Sequence, residues 1–71
     1  MSQKEMEFAV FCIEALAEHL QINGTQVYEK LSVTDGLLAG YIIPNYGVLH
    51  SQSRDYIIRD LIETMQSEGV L

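Results

Sequence analysis

Basic residues are scarce in this 71-residue chain, which has four lysines and arginines against ten aspartates and glutamates and a formal net charge of -6. This balance opposes binding to nucleic-acid phosphates and to anionic membrane surfaces. The chain also has a single cysteine, Cys12, so no internal disulfide can form, as is typical of a reducing compartment. No apolar run approaches the roughly 18 residues of a membrane-spanning helix, and residues 1–7 lack the basic start of a signal peptide. These features predict a cytoplasmic protein.

Soft metal ligands and activated nucleophiles are equally few. Cys12 and His19 share a helix face but lie about 10.5 Å apart along the axis, and zinc bonds of about 2.0 to 2.3 Å cannot reach both. Cys12 lies in an apolar helix, where burial makes a thiol inert, while Ser51 and Ser53 lie where a helix needs a cap. We therefore predict that the protein binds no metal and no cofactor and that it is not an enzyme. Catalysis through His50 is the weakest functional alternative.

A chain of this length forms one domain, residues 1–71, with a single modest core. Its one proline and five glycines separate short periodic segments, and no segment alternates as a strand would. We predict an all-α fold, a compact bundle of about four helices of which the first is the longest. Burial and folding entropy nearly cancel at this size, so we expect self-association as a homodimer.

The first helix is predicted over residues 4–21 and carries two apolar rows. The first row recurs at spacings of three and four, as in an amphipathic helix, and a second row lies beside it. Such breadth suits a central helix or one that also contacts a second subunit. The first row comprises Met6, Ala9, Val10, Ile13, Leu16, Ala17 and Leu20, and the second Phe8, Phe11, Cys12 and Ala15.

A short second helix should begin at Asn23, with Gln26 completing a capping box. We expect its inward residues to be Val27 and Leu31, with Tyr28 beside them. Ser32 or Thr34 would then cap a third helix that carries Leu37, Leu38, Tyr41 and Ile42.

Pro44 should end the third helix at about Ile43, and residues 45–47 should form a turn in which Gly47 adopts a positive φ. The last helix should start within residues 51–53 and end at a Gly69 cap. Its outer side offers the spaced charge pairs Asp55 with Arg59 and Arg59 with Glu63, and its inward residues are Ile57, Ile58, Leu61, Ile62 and Met65.

A helix-turn-helix that binds DNA is the main alternative function, because Ser32, Gly36 and Ile42 have compatible spacings. Two features oppose it. The second helix of the motif would run through Pro44, and residues 26–53 contain one basic residue, Lys30, where phosphate contacts usually require several.

Residues 41–53, YIIPNYGVLHSQS, combine aromatic, turn-forming and titratable side chains. Tyr41, Tyr46 and Tyr56 could form a binding surface, but aromatics around a proline turn more often lock two helices together. His50 is more often bonded to a neighbouring backbone than used as an acid, a base or a pH switch.

These residues also carry a resemblance. The succession Tyr-Ile-Ile-Pro, Tyr, Val-Leu-His, Ser-Gln resembles the core motif of a family of short bacterial proteins of uncharacterised function, and the similarity spans nearly the whole chain. The family pattern has an acidic residue after Tyr46, where this chain has Gly47. Members resemble small accessory proteins encoded near a protein similar to an ADP-ribosyltransferase toxin, which implies an antitoxin-like or partner-binding role.

The sequence therefore predicts a small non-enzymatic helical module for protein–protein interaction. It would pair with itself or with a protein partner, and neither a membrane nor nucleic acid is expected to bind. Its contact residues are predicted to be Phe8, Phe11, Ala15, Tyr46, Val48, Leu49 and His50.

Overall fold

A computed structural model describes residues 2–33 and 36–71 and confirms the all-α fold, with no strand in these two ranges. The described residues form five helices rather than four, because the middle of the chain forms two short helices. In chain order they are α1 (Gln3–Leu20), α2 (Gly24–Leu31), a π-helix (Leu38–Ile42), α3 (Tyr46–Leu49) and α4 (Arg54–Ser67). No helix in the described ranges is both long and apolar enough to cross a membrane.

Hydrogen bonds from nearby side chains fix both helix starts in the first half of the chain. Ser2 and Glu5 form a capping box at α1, in which the Ser2 hydroxyl accepts from the Glu5 N–H at 3.1 Å. The predicted box at α2 is confirmed: the Gln26 N–H donates to the Asn23 side chain at 2.8 Å, and the Asn23 N–H donates to Gln26 at 3.1 Å. These bonds satisfy amide groups that the first helical turn leaves without partners.

The inward face of α1 draws on both predicted rows, because Ala9 and Leu16 of the first row are buried as well. Phe8, Cys12 and Ala15 of the second row are buried, whereas Met6 and Val10 of the first row are 54% and 47% exposed. The reason is that α1 packs against both α2 and α4, so its buried face lies between these two neighbours. The core cluster contains Phe8, Cys12, Ala15, Leu16, Val27, Leu31, Ile42, Leu49, Ile57, Ile58, Leu61 and Met65.

The predictions for α2 are partly right. Val27 and Leu31 are buried as expected, but Tyr28 is half-exposed and does not lie beside them in the core. Ser32 ends α2, where its N–H donates to the Glu29 carbonyl at 3.2 Å, and so it does not start a third helix. The alternative cap, Thr34, lies outside the described residues.

The turn near Pro44 lies earlier than predicted. The π-helix ends at Ile42, residues 43–45 form the turn, and Gly47 lies inside α3 without a positive φ. The Asn45 carbonyl accepts from the N–H groups of Val48 at 3.1 Å and Leu49 at 2.9 Å, which closes a helical turn around Gly47.

The last helix begins and ends as predicted. The Ser53 hydroxyl caps α4 by accepting from the Tyr56 N–H at 3.1 Å. Gly69, with φ +73, follows the helix in the left-handed conformation, and the Val70 N–H donates to the Met65 carbonyl at 3.0 Å. This is the hydrogen-bond pattern of a Schellman cap.

The inward residues of α4 are also confirmed, with Ile62 partly buried and the other four fully so. Neither predicted charge pair around Arg59 forms, because these exposed side chains have water as an alternative partner. Within the described residues the ion pair that does form joins Arg54 to Glu18 at 3.5 Å.

Candidate interaction surface

Four ring side chains form a continuous row between α1 and α3. Phe11 and Phe8 are stacked with ring centroids 6.2 Å apart, and the edge of Phe8 meets Tyr46 at 5.5 Å with an interplanar angle of 79°. Tyr46 then stacks on His50 at 4.3 Å and 7°. Helical spacing explains the row, since Phe8 and Phe11 are three residues apart on α1 while Tyr46 and His50 lie one turn apart at α3.

The imidazole of His50 is held by this stack and by one hydrogen bond. Its Nδ1 lies 2.7 Å from the main-chain carbonyl oxygen of Tyr46. Because a carbonyl oxygen accepts, this bond places the ring proton on Nδ1. The geometry matches the prediction that His50 bonds a neighbouring backbone.

The predicted contact residues divide into accessible and buried groups. Phe11 is 38% exposed, Val48 is 65% exposed, His50 is exposed and Tyr46 is partly so. The other predicted residues, Phe8, Ala15 and Leu49, are buried and support the row from the core. We call the accessible set of Phe11, Tyr46 and His50 the aromatic surface, and Val48, two residues from Tyr46 on α3, faces away from it.

A second apolar surface was missed at the sequence level. Met6, Val10 and Tyr28 are all about half-exposed. A Cβ at Gly24 would lie 3.6 Å from Cγ2 of Ile13, so α2 starts beside Ile13. Tyr28 follows Gly24 by one turn, Val10 precedes Ile13 by one turn and Met6 precedes Val10 by one more, so the three exposed residues lie one or two turns from this α1–α2 contact.

The breadth of the apolar pattern on α1 was the signal that could have found this α1–α2 surface. Two adjacent rows on one helix exceed what a single core face can cover. The sequence does not say which row is left uncovered, because that depends on where α2 and α4 pack.

Tyr41 does not join the aromatic row. Its hydroxyl donates to Oδ2 of Asp60 at 2.7 Å, and this hydrogen bond raises the pKa of Tyr41, with partial burial adding to the effect. The Thr64 hydroxyl donates to the Asp60 carbonyl at 2.8 Å. Tyr41 therefore ties the π-helix to α4, which is the locking role expected of aromatics around the proline turn. Tyr56 is half-exposed on α4.

Three residues considered for chemistry, Cys12, Ser51 and Ser53, are buried or hydrogen-bonded to the backbone. Cys12 is fully buried, and desolvation raises the pKa of its thiol to about 12, so the reactive thiolate is strongly disfavoured. In residues 2–33 and 36–71 no three His, Cys, Asp or Glu side chains come together as a metal site would require. Ser53 is occupied as the α4 cap, and the Ser51 hydroxyl donates to the Val48 carbonyl at 2.9 Å.

The segment considered as a recognition helix is interrupted. The π-helix is five residues long, and the turn at residues 43–45 separates it from the four-residue α3. Lys30 faces a groove of about 460 Å³ that it shares with Glu68, so the local charge is balanced.

A family model described as Protein of unknown function (DUF3791) matches residues 7–68. No curated protein and no solved structure matches the chain.

Proposed function

Since the chain belongs to the DUF3791 family of proteins of unknown function, we propose a role from its structure: a non-enzymatic helical module for protein–protein interaction. One observation carries the proposal. Large apolar side chains stay exposed on both sides of α1, in a domain small enough to have little stability in reserve. Exposed apolar patches of this kind are typical of interaction sites.

Self-association is the first binding event that we propose, as a homodimer through the α1–α2 surface of Met6, Val10 and Tyr28. Two copies that each carry a charge of -6 repel one another, so they need a contact with few charges. The helical neighbours of Tyr28, one turn away in either direction, are uncharged. Tyr28 thus offers apolar contact at little electrostatic cost, whereas Val10 lies one turn from Glu7 and Glu14.

Light scattering after size-exclusion chromatography tests the homodimer over the micromolar to millimolar range. We expect a dimer for the unaltered chain and a monomer for the double variant Met6→Ser with Tyr28→Ser. The matched control is Val48→Ser, which removes a more exposed apolar side chain from α3, outside the proposed contact, and should leave the dimer intact. A monomer at every concentration removes the homodimer from the proposal.

The aromatic surface is proposed for a different protein partner, as in an antitoxin-like or accessory protein of the cytoplasm. Its rings are rigid, partly exposed and supported by the core, which lowers the entropy lost on binding. We propose that His50 is part of this surface and has no catalytic role, because its ring is stacked and bonded to backbone.

Capture of partners by the tagged chain from cells of the encoding organism tests this second contact. Phe11→Ser should lose a specific partner that Met6→Ser retains. The His50→Ala variant distinguishes a structural role of His50 from a binding role. We expect this variant to remain folded and to lose the captured partner. Equal capture by Phe11→Ser and Met6→Ser would show that the aromatic surface is not the binding site.

A further inference from the structure

The outermost line of α1 is acidic and lies between exposed apolar side chains. Glu7, Glu14 and Glu18 recur at spacings of seven and four residues, which places them on one side of the helix, and all three are exposed. Phe11 and Val10 lie on either side of this line. The combination is an apolar face divided by a stripe of carboxylates.

These carboxylates are largely uncompensated within the described residues. Glu18 is paired with Arg54, but at 3.5 Å with both side chains exposed, so the bond is weak. Glu7 and Glu14 form no ion pair at all in the described part of the chain. Neither carboxylate has a structural task there, and each leaves its charge available to a partner.

We propose that this face of α1 binds a basic amphipathic helix of a partner protein, in which lysines or arginines alternate with apolar residues. The inference rests on the proposed function, since it names the chemistry of the partner that an interaction module would take. Apolar side chains would pack on Phe11, which lies outside the proposed homodimer contact, and the cationic groups would lie along Glu7 and Glu14. Complementary charges at a rim steer association and reject like-charged partners.

A second copy of the chain fits this face poorly. If two α1 helices crossed at Phe11 in antiparallel directions, Glu7 of one copy would lie beside Glu14 of the other, because these residues lie four before and three after Phe11. A parallel crossing would bring identical glutamates together. Both arrangements place Glu7 and Glu14 against like charges, although the antiparallel one also places Lys4 beside Glu18, whereas a basic helix neutralises both glutamates.

Fluorescence anisotropy with a labelled synthetic peptide tests the inference. The probe is an amphipathic helix of about five turns made of leucine and lysine, and its twin has glutamate at every lysine position. We expect the lysine peptide to bind at least tenfold more tightly than the glutamate peptide. We also expect its affinity to fall as salt is raised, since salt screens exposed charges.

Two charge-matched variants locate the site. One variant combines Glu7→Lys with Glu14→Lys, and the control combines Glu63→Lys with Glu68→Lys. The two variants have the same net charge, and Glu63 and Glu68 are exposed on or beside α4. The first pair should weaken binding at least tenfold, and the control pair less than threefold. If Glu7→Lys with Glu14→Lys loses the circular dichroism of the folded chain, the corresponding glutamine variants replace it, with an expected loss of at least threefold.

Three results would overturn the inference: no binding of the lysine peptide, equal binding of the two peptides, or equal losses for the two charge-matched variants. None of these results affects the light scattering and capture experiments, which test the proposed interaction module independently. A captured partner that lacks a basic helix would refute the inference while leaving the proposed function in place.

Discussion

The buried thiol of Cys12 should make the stability of this protein depend on pH in the alkaline range. The side chain is fully buried in the core cluster, and burial raises its pKa from 9.0 to about 12. This difference in pKa between the unfolded and folded chain corresponds to at most about 4 kcal/mol of folding free energy, at about 1.4 kcal/mol per pH unit. This is comparable with the whole stability of a small domain, about 0.05 to 0.15 kcal/mol per residue.

The sign follows from proton binding. Between pH 9.0 and about 12 the unfolded chain releases the thiol proton while the folded chain keeps it, so a rise in pH favours unfolding. The contribution is therefore fully present below pH 9.0 and is lost as the pH approaches the folded pKa.

Urea denaturation of the unaltered chain and of Cys12→Ala, followed by circular dichroism at several pH values, measures this effect. Near neutral pH the variant should be less stable by about 1 to 2 kcal/mol, because removal of the sulfur leaves a small cavity. The gap should narrow above pH 9.0 by up to about 1.4 kcal/mol per pH unit, and the tyrosines cancel because both proteins contain them.

A stability gap that stays constant up to pH 10.5 would refute the reasoning. So would rapid labelling of Cys12 by a thiol reagent under native conditions at neutral pH, since a fully buried thiol reacts only after the structure opens. Slow labelling that accelerates in urea is the expected result.

Three further predictions concern backbone conformation and one hydrogen bond. Gln21 adopts φ 58, so Gln21→Gly should raise the free energy of unfolding by roughly 0.5 to 1 kcal/mol, measured by thermal denaturation, and a lower melting temperature would contradict this. Gly47→Ala should stabilise α3 by a similar amount, because nothing lies within 4 Å of the new Cβ. Gly69→Ala should destabilise the protein by about 1 kcal/mol, because φ is +73 at this position. Changes of the same sign for the two variants would contradict this prediction. Tyr41→Phe should lower the free energy of unfolding by about 1 kcal/mol in urea denaturation, because the hydrogen bond from Tyr41 to Asp60 is lost. The pKa of Tyr41 is raised, so this difference from the unaltered chain should disappear when the pH is high enough to ionise its hydroxyl. A difference that persists at high pH would exclude the hydrogen bond as its cause.

The candidate surface could be predicted in part. The sequence pointed to Phe11, Tyr46, Val48 and His50, which are accessible, but it also included buried side chains. Exposure of an apolar residue depends on which neighbour covers it, and that neighbour is distant in sequence. The α1–α2 surface escaped prediction for the same reason.

The sequence by itself determined the all-α fold, the start of α2 and the two ends of α4. The Asn23 box, the Ser53 cap and the Gly69 cap depend on hydrogen bonds that span only a few residues, so local chemistry suffices. Tertiary structure alone decided which members of the two α1 rows are buried and where the chain turns near Pro44. Both depend on packing between distant segments, in which Phe8 meets Tyr46 and Tyr41 bonds Asp60, and no local pattern specifies those contacts.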